Sequence, residues 1–324
     1  MSLLCVKNLS VGYETKAGLI KAVDNISFDL EKGRPLGFVG ESGCGKTTIG
    51  MTLMGLLPDN AVLLGGSMEF AGKDLALLSE AQWRAVRGSE VAMIFQAAMN
   101  ALNPVYRVDD QVKEAIVTHN PDICDSDLNK RVQELFDLVE IPQERIHDYP
   151  HEYSGGMKQR VIIAMALACS PDLIVADEPT TALDVIVQDQ ILKGLKEIQS
   201  KFNTGLIFIS HDIAVVASVC EDICVMYGGQ IVEKGRCKEV FSKPRHPYTK
   251  TLLGAYLSLD NEESIVIPEM GEMPDLTMKS GCCRFSVNCT VCSTACRTDR
   301  PQWIDISPTH QALCCDEGFI KDKP

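Results

Sequence analysis

Gly40-Glu41-Ser42-Gly43-Cys44-Gly45-Lys46-Thr47 follows a short apolar run, Pro35-Leu36-Gly37-Phe38-Val39, and leads into Ile49, Leu53, Leu56 and Leu57 at helical spacing. Glycines in such a turn let successive backbone N–H groups point inward around an anion. The start of the next helix adds roughly half a positive charge. Lys46 is then placed to neutralise β- and γ-phosphates, and Thr47 to ligate Mg²⁺. A Gly-rich turn can carry this string by accident, but the strand before it and the helix after it argue for phosphate binding. Cys44 lies beside backbone donors and Lys46, which predicts a lowered thiol pKa. A small residue chosen for space is the plainer account.

A second apolar run, Leu173-Ile174-Val175-Ala176, ends in Asp177-Glu178. A strand-end aspartate suits a Mg²⁺ shell, and the adjoining carboxylate is placed to orient or deprotonate an attacking water. Alone, the pair could simply be favourable charge at a helix start. Tyr153-Ser154-Gly155-Gly156-Met157-Lys158-Gln159-Arg160 opens a helix with small residues, which reads either as a second anion site or as a plain Ser cap.

Elements must position these residues. The first 30 residues alternate apolar and polar, as antiparallel strands with one wet face do. Leu206-Ile207-Phe208-Ile209 is a further buried-strand run, and Val132, Leu135, Phe136 and Val139 fall at helical spacing. Buried strands separated by helical patterns imply a mostly parallel sheet, whose ligands bind beyond the carboxyl ends, after Val39, Ala176 and Ile209. The expected fold class is α/β.

Taken together, residues 1 to about 250 resemble an ABC ATPase subunit. The resemblance implies a P-loop NTPase core of ABC type with an antiparallel β subdomain and a helical subdomain at about 97–160. It makes Gly40 to Thr48 the Walker A loop, Asp177 the Walker B aspartate and Glu178 the catalytic carboxylate. Gln96 becomes the Q-loop residue and a further Mg²⁺ ligand beside Thr47 and Asp177. Ala182-Leu183-Asp184 matches the D-loop, His211 the switch histidine at the γ-phosphate, and Tyr13 the ring stacked on adenine. Ser154, Gly155 and Gly156 close over ATP held by another subunit. Met157, Asn103-Pro104 and His246-Pro247-Tyr248-Thr249 look like the dipeptide/oligopeptide/nickel importer branch. Ala97-Ala98 departs from that branch, which usually carries an acidic residue and Pro, and this puts coupling to the permease in question.

Seven of the fourteen cysteines crowd between Cys282 and Cys315. Clustered cytosolic thiols point to a metal, either Fe–S or zinc, with a reduced, metal-free tail as the plainer alternative. Pro and Gly breakers leave little apolar core, so a metal would supply folding energy. The same branch carries a C-terminal extension with a [4Fe–4S] cluster, and the resemblance places the ligands at Cys283, Cys289, Cys296 and Cys314. Cys282, Cys292 and Cys315 are surplus. The expected domains are 1–242 for the nucleotide-binding part and 243–324 for the extension, with the metal-binding segment at 282–315 and a linker at Pro268–Pro274.

The formal net charge of −13 argues against nucleic acid as main partner. The apolar stretch Val161–Cys169 is far below the roughly 20 residues that span a bilayer, and no signal-peptide pattern precedes the first strand. A cytosolic chain peripheral to the membrane is expected. The resemblance implies a second and different ATPase subunit, two permease subunits and an extracytoplasmic substrate-binding protein, with peptides, nickel chelates or other small solutes as cargo. The competing class is an ABC ATPase outside transport, acting on DNA, ribosomes or Fe–S assembly. DNA-repair relatives insert long coiled coils between P-loop and signature, and only a short stretch separates Gly40 from Ser154. Translation-type relatives usually fuse two units, and a P-loop kinase has no use for the signature string.

Overall fold

The computed structural model describes residues 2–16, 18–96, 101–181, 183–257, 274, 276–277 and 281–320. Ala97-Ala98, Ala182 and most of the Pro268–Pro274 linker fall outside them. In chain order the strands are β1 (Ser2–Thr15), β2 (Gly18–Glu31), β3 (Leu36–Val39), β4 (Ala61–Phe70), β5 (Lys73–Asp74) and β6 (Val91–Ile94). Then follow β7 (Leu173–Asp177), β8 (Gly205–Ser210), β9 (Asp222–Tyr227), β10 (Gln230–Arg236), β11 (Gln302–Ser307) and β12 (His310–Cys314). The main helices are α1 (Lys46–Leu53), α2 (Glu80–Val86), α3 (Val108–His119), α4 (Asp125–Leu138), α5 (Gly155–Ala166) and α6 (Val185–Phe202). The chain continues with α7 (Ile213–Val219), α8 (Cys237–Ser242) and α9 (Pro247–Leu257).

Two compact units divide the chain. The first holds Ala76–Phe208 with Leu30–Pro35 and the start of β1. In it β6 and β7 pair in parallel, Val91 opposite Leu173 and Ile94 opposite Ala176, and both strands are buried throughout. Continuous burial explains why their sequences read as unbroken apolar runs. Helix α3 packs on α4 and α5. The expected helical spacing is borne out: Val132, Leu135 and Phe136 of α4 are buried, as is Val139 at its cap. Each such side chain contributes about 1.5–3 kcal/mol by leaving water.

The second unit holds Leu4–Asp29, Leu36–Leu75 and the chain from Ile209 onward. One sheet runs β2-β1-β4-β5, with β1 and β4 antiparallel. In the other, β3 pairs in parallel with β9, and β9, β10, β12 and β11 follow in antiparallel succession. The extension is therefore less core-poor than its sequence suggests. Strands β11 and β12 extend the sheet through Glu233 opposite Ala312 and Gly235 opposite His310. Ile304, Ala312 and Ile320 form a small buried cluster with Ile306 and Cys314 packed on it. Apolar burial thus supplies folding energy where only a metal was expected to.

Candidate functional site

The Gly40–Thr48 loop, expected to cradle phosphates, lies in the second unit, between the buried end of β3 and the first turn of α1. Gly40 has φ +151°, and a Cβ there would stand 2.2 Å from the Met226 carbonyl and 2.9 Å from Cys44 Sγ. Gly45 has φ +104°, and its Cβ would meet the Ala22 carbonyl at 2.3 Å. Both positions therefore require glycine. Lys46 is 5% exposed, and its ammonium donates to the Gly40 carbonyl at 2.7 Å and the Glu41 carbonyl at 2.9 Å. The lysine is held by the loop it serves, with its charge inside the turn. Burial raises the Glu41 carboxyl, and Lys46 partly offsets it. Tyr13 of β1 shares a hydrogen bond with Thr48 Oγ1 at 3.1 Å, which fixes its ring beside the start of α1. Ser42, Gly43 and Thr47 are exposed on the loop and the first helical turn.

Cys44 departs from expectation. It is wholly buried, and burial raises its thiol against the smaller opposing pull of Lys46, whose ammonium lies 3.5 Å from the sulfur. Desolvation outweighs the nearby positive charge.

The carboxylate group lies in the first unit. Asp177, 2% exposed, ends β7. Glu178 follows in the left-handed region at φ 46°, a conformation that costs a non-glycine residue about 1–2 kcal/mol. Its Oε2 accepts from Gln96 Nε2 at 3.1 Å and from Thr181 Oγ1 at 3.0 Å. The backbone strain turns the carboxylate off the strand, and the two donors fix it there. Gln96 and Glu178 come from the ends of β6 and β7, the parallel pair.

Ser154 caps α5 by accepting from Met157 N at 3.3 Å, and Asp184 caps α6 by accepting from Ile186 N and Val187 N at 3.1 and 3.0 Å. Gly155 and Gly156 form the first turn of α5. In the second unit His211 is exposed just beyond β8.

Residues 23–181 match the ABC transporter family, and residues 232–296 match the C-terminal region of oligopeptide/dipeptide transporters. The chain is 43% identical over 309 residues to the dipeptide transport ATP-binding protein DppD of Lactococcus lactis subsp. cremoris, covering 95% of this chain and 88% of that protein. The chain belongs to the ABC transporter ATP-binding family. This ABC ATPase is likewise 44% identical to the Bacillus subtilis dipeptide transport ATP-binding protein DppD, covering 96% of this chain and 93% of that one. The Bacillus subtilis oligopeptide transport ATP-binding protein OppD is 44% identical, with 95% and 87% covered. Among solved structures, an ATP-binding cassette dimer in a post-hydrolysis state with ADP and Pi is similar at TM-score 0.65 and 25% identity, covering 72% of this chain and 98% of that one. The cbiO1 protein of Clostridium perfringens, part of the cbiONQ ABC transporter complex, gives 0.66 and 27%, covering 80% and 95%. The ABC ATPase cassette fold is thereby established. Among the described residues, no helix is long and apolar enough to cross a membrane.

In the extension of this ABC ATPase the cysteines share one neighbourhood. Burial pushes Cys283 up to about 12, and Cys296, Cys314 and Cys289 add to it. Among the described residues, no three His, Cys, Asp or Glu side chains are gathered as a metal site. Nearby, His310 Nε2 meets Glu233 Oε1 at 2.7 Å, both groups buried. Sequence reasoning missed Glu233, Asp24 and Arg284. Arg284 forms a buried ion pair with Asp24 at 2.9 Å and also donates to the carbonyls of Lys21 and Gly228.

Proposed function

We propose that this ABC ATPase powers uptake of dipeptides or oligopeptides through a membrane permease. The match of residues 232–296, beyond the catalytic core, to oligopeptide/dipeptide transporters carries the proposal. The nucleotide-binding part is taken as 1–242 and the extension as 243–324, at the cytoplasmic face of the membrane. Gly40 to Thr48 cradle the phosphates of ATP, with Tyr13 against the adenine. Thr47, Asp177 and Gln96 offer hydroxyl, carboxylate and amide oxygens, hard donors suited to Mg²⁺. When bound, that ion neutralises charge on the phosphates. Glu178 orients a water and takes its proton as the oxygen attacks the γ-phosphorus. The bond to the β–γ bridging oxygen breaks, leaving ADP and phosphate. His211 holds the γ-phosphate.

Ser154, Gly155, Gly156 and Asp184 act across a dimer with a second, different ATPase subunit. Val185 and Ile186, 80% and 73% exposed after Asp184, support an apolar contact there. Two permease subunits and an extracytoplasmic substrate-binding protein complete the transporter. Uptake of a radiolabelled dipeptide by cells lacking this chain should return with the wild type and not with Glu178→Gln. Restored nickel uptake with unchanged peptide uptake would reassign the cargo.

For the extension, Cys283, Cys289, Cys296 and Cys314 are proposed to hold a [4Fe–4S] cluster. Soft thiolate donors suit it, and the resemblance of this segment to the importer branch supports the choice of these four. Anaerobic protein should carry iron and sulfide in about equal, fourfold amounts per chain. Ser at any of the four should bleach it. Zinc without sulfide would overturn the cluster.

A further inference from the structure

We infer that Tyr248 is a positioning residue for the phosphate loop, its hydroxyl holding the Gly40–Glu41 peptide in the shape that receives ATP. Glu41 N–H donates to Tyr248 Oη at 3.1 Å across 207 positions of sequence. The carbonyl of that same peptide unit, Gly40 C=O, accepts from Lys46 at 2.7 Å. One peptide plane is thus gripped at both ends. When Lys46 turns to a phosphate it releases the carbonyl end, and the tyrosine hydroxyl remains as the grip on the N–H end.

The hydroxyl can do this because nothing lets the ring move. Tyr248 is fully buried, with its ring centroid 4.7 Å from Tyr227 and 5.7 Å from Phe285, the latter supplied by the Cys-rich segment. Phe285 also meets Tyr227 edge-on at 5.0 Å. Edge-to-face rings at these distances favour one arrangement. The backbone under Tyr248 is fixed as well. Its N–H donates to His246 Nδ1 at 3.1 Å, while Arg245 N and His246 N donate to buried Glu233 at 2.8 and 2.9 Å. Every one of these residues belongs to the second unit. Burial also holds the Tyr248 phenol far above neutral pH, so it stays protonated throughout the working range.

The inference rests on the assignment of Gly40 to Thr48 as the ATP site, and the test separates the two. A fluorescent ATP analogue is titrated into the full chain with Mg²⁺, reading Kd and binding stoichiometry separately. Tyr248→Phe keeps the ring and removes the hydroxyl. Its Kd should rise about three- to tenfold, the loss of one neutral hydrogen bond, with stoichiometry unchanged. Tyr227→Phe removes a hydroxyl that accepts from Asn288 Nδ2 at 3.0 Å rather than from the loop, and its Kd should stay at the wild-type value. Lys46→Ala should abolish binding. If Lys46→Ala abolishes binding while Tyr248→Phe binds like the wild type, the positioning role is wrong and the ATP site stands. Reduced stoichiometry at unchanged Kd, or an equal rise in Tyr227→Phe, overturns the role too. Wild-type binding by Lys46→Ala would sink the ATP site and the inference with it.

Discussion

Gln96 Nε2 donates to Glu178 Oε2 at 3.1 Å, joining the ends of two parallel strands 82 positions apart in the chain. The amide holds the carboxylate without neutralising it, which suits the proton acceptance from water proposed for Glu178. Glu178→Gln should therefore keep ATP binding and slow hydrolysis by about 10²–10⁴, the usual cost of losing a positioned base. Single-turnover release of phosphate from the partnered complex measures this. Near-normal release would remove Glu178 from the role.

Cys44 should be a slow nucleophile. Its thiol is buried and raised, whereas Cys124 is exposed. Only the thiolate reacts quickly, so iodoacetamide at pH 8 should label Cys124 well before Cys44, as read by mass spectrometry of the peptides. Earlier labelling of Cys44 would show that the loop opens freely.

His246 makes the fold sensitive to acid. Burial lowers it to about 4, against an ordinary value of 6.5, with Lys250 lowering it further and Glu233 opposing. Below 6.5 the unfolded chain binds the proton and the folded chain does not, so stability is full above about 6.5 and falls as pH drops toward 4. The loss approaches a few kcal/mol at the lower end. His246→Asn, which retains an acceptor for Tyr248 N–H, should flatten the dependence in urea titrations run between pH 4 and 7. An unchanged slope would assign the acid sensitivity to another group.

Arg284→Ala should destabilise the chain by about 1.5–3 kcal/mol, because Asp24, whose side chain is 7% exposed, loses its nearest charge partner and keeps Lys21 at 3.5 Å and the Gln230 amide at 3.4 Å. Asp24→Asn combined with Arg284→Ala should recover part of that loss in denaturant titrations. Additive losses would mean that the two groups do not act as a pair.

What was legible in the sequence was local. The glycines, Lys46 and Thr47 sit within one turn, and Leu173–Asp177 declares a buried strand through its composition. The helix at Asp125–Leu138 shows in its spacing. The links that escaped span long stretches: Arg284 to Asp24 over 260 positions, Tyr248 to Glu41 over 207, and His310 to Glu233 over 77. Neither periodicity nor spacing encodes such pairings. The lowered thiol expected of Cys44 failed for a related reason, since its neighbours are visible in sequence and its desolvation is not, while the plainer reading of a small residue in a tight space fits its full burial. The small core of Ile304, Ala312 and Ile320 was hidden because its apolar residues are sparse until β11 and β12 pair.

The 207 positions between Glu41 and Tyr248 also set a timetable. A ribosome adding about 5–20 residues per second needs roughly 10–40 s to reach the tyrosine after the phosphate loop has been made. Through that interval the nascent chain carries Lys46 and its glycines without the hydroxyl that grips the Gly40–Glu41 peptide. Full affinity for nucleotide therefore arrives late in synthesis, with the segment that follows β10, and the loop made earlier lacks the about three- to tenfold that one neutral hydrogen bond adds. A growing chain in this way gains the last increment of its nucleotide affinity only once Tyr248 has been made.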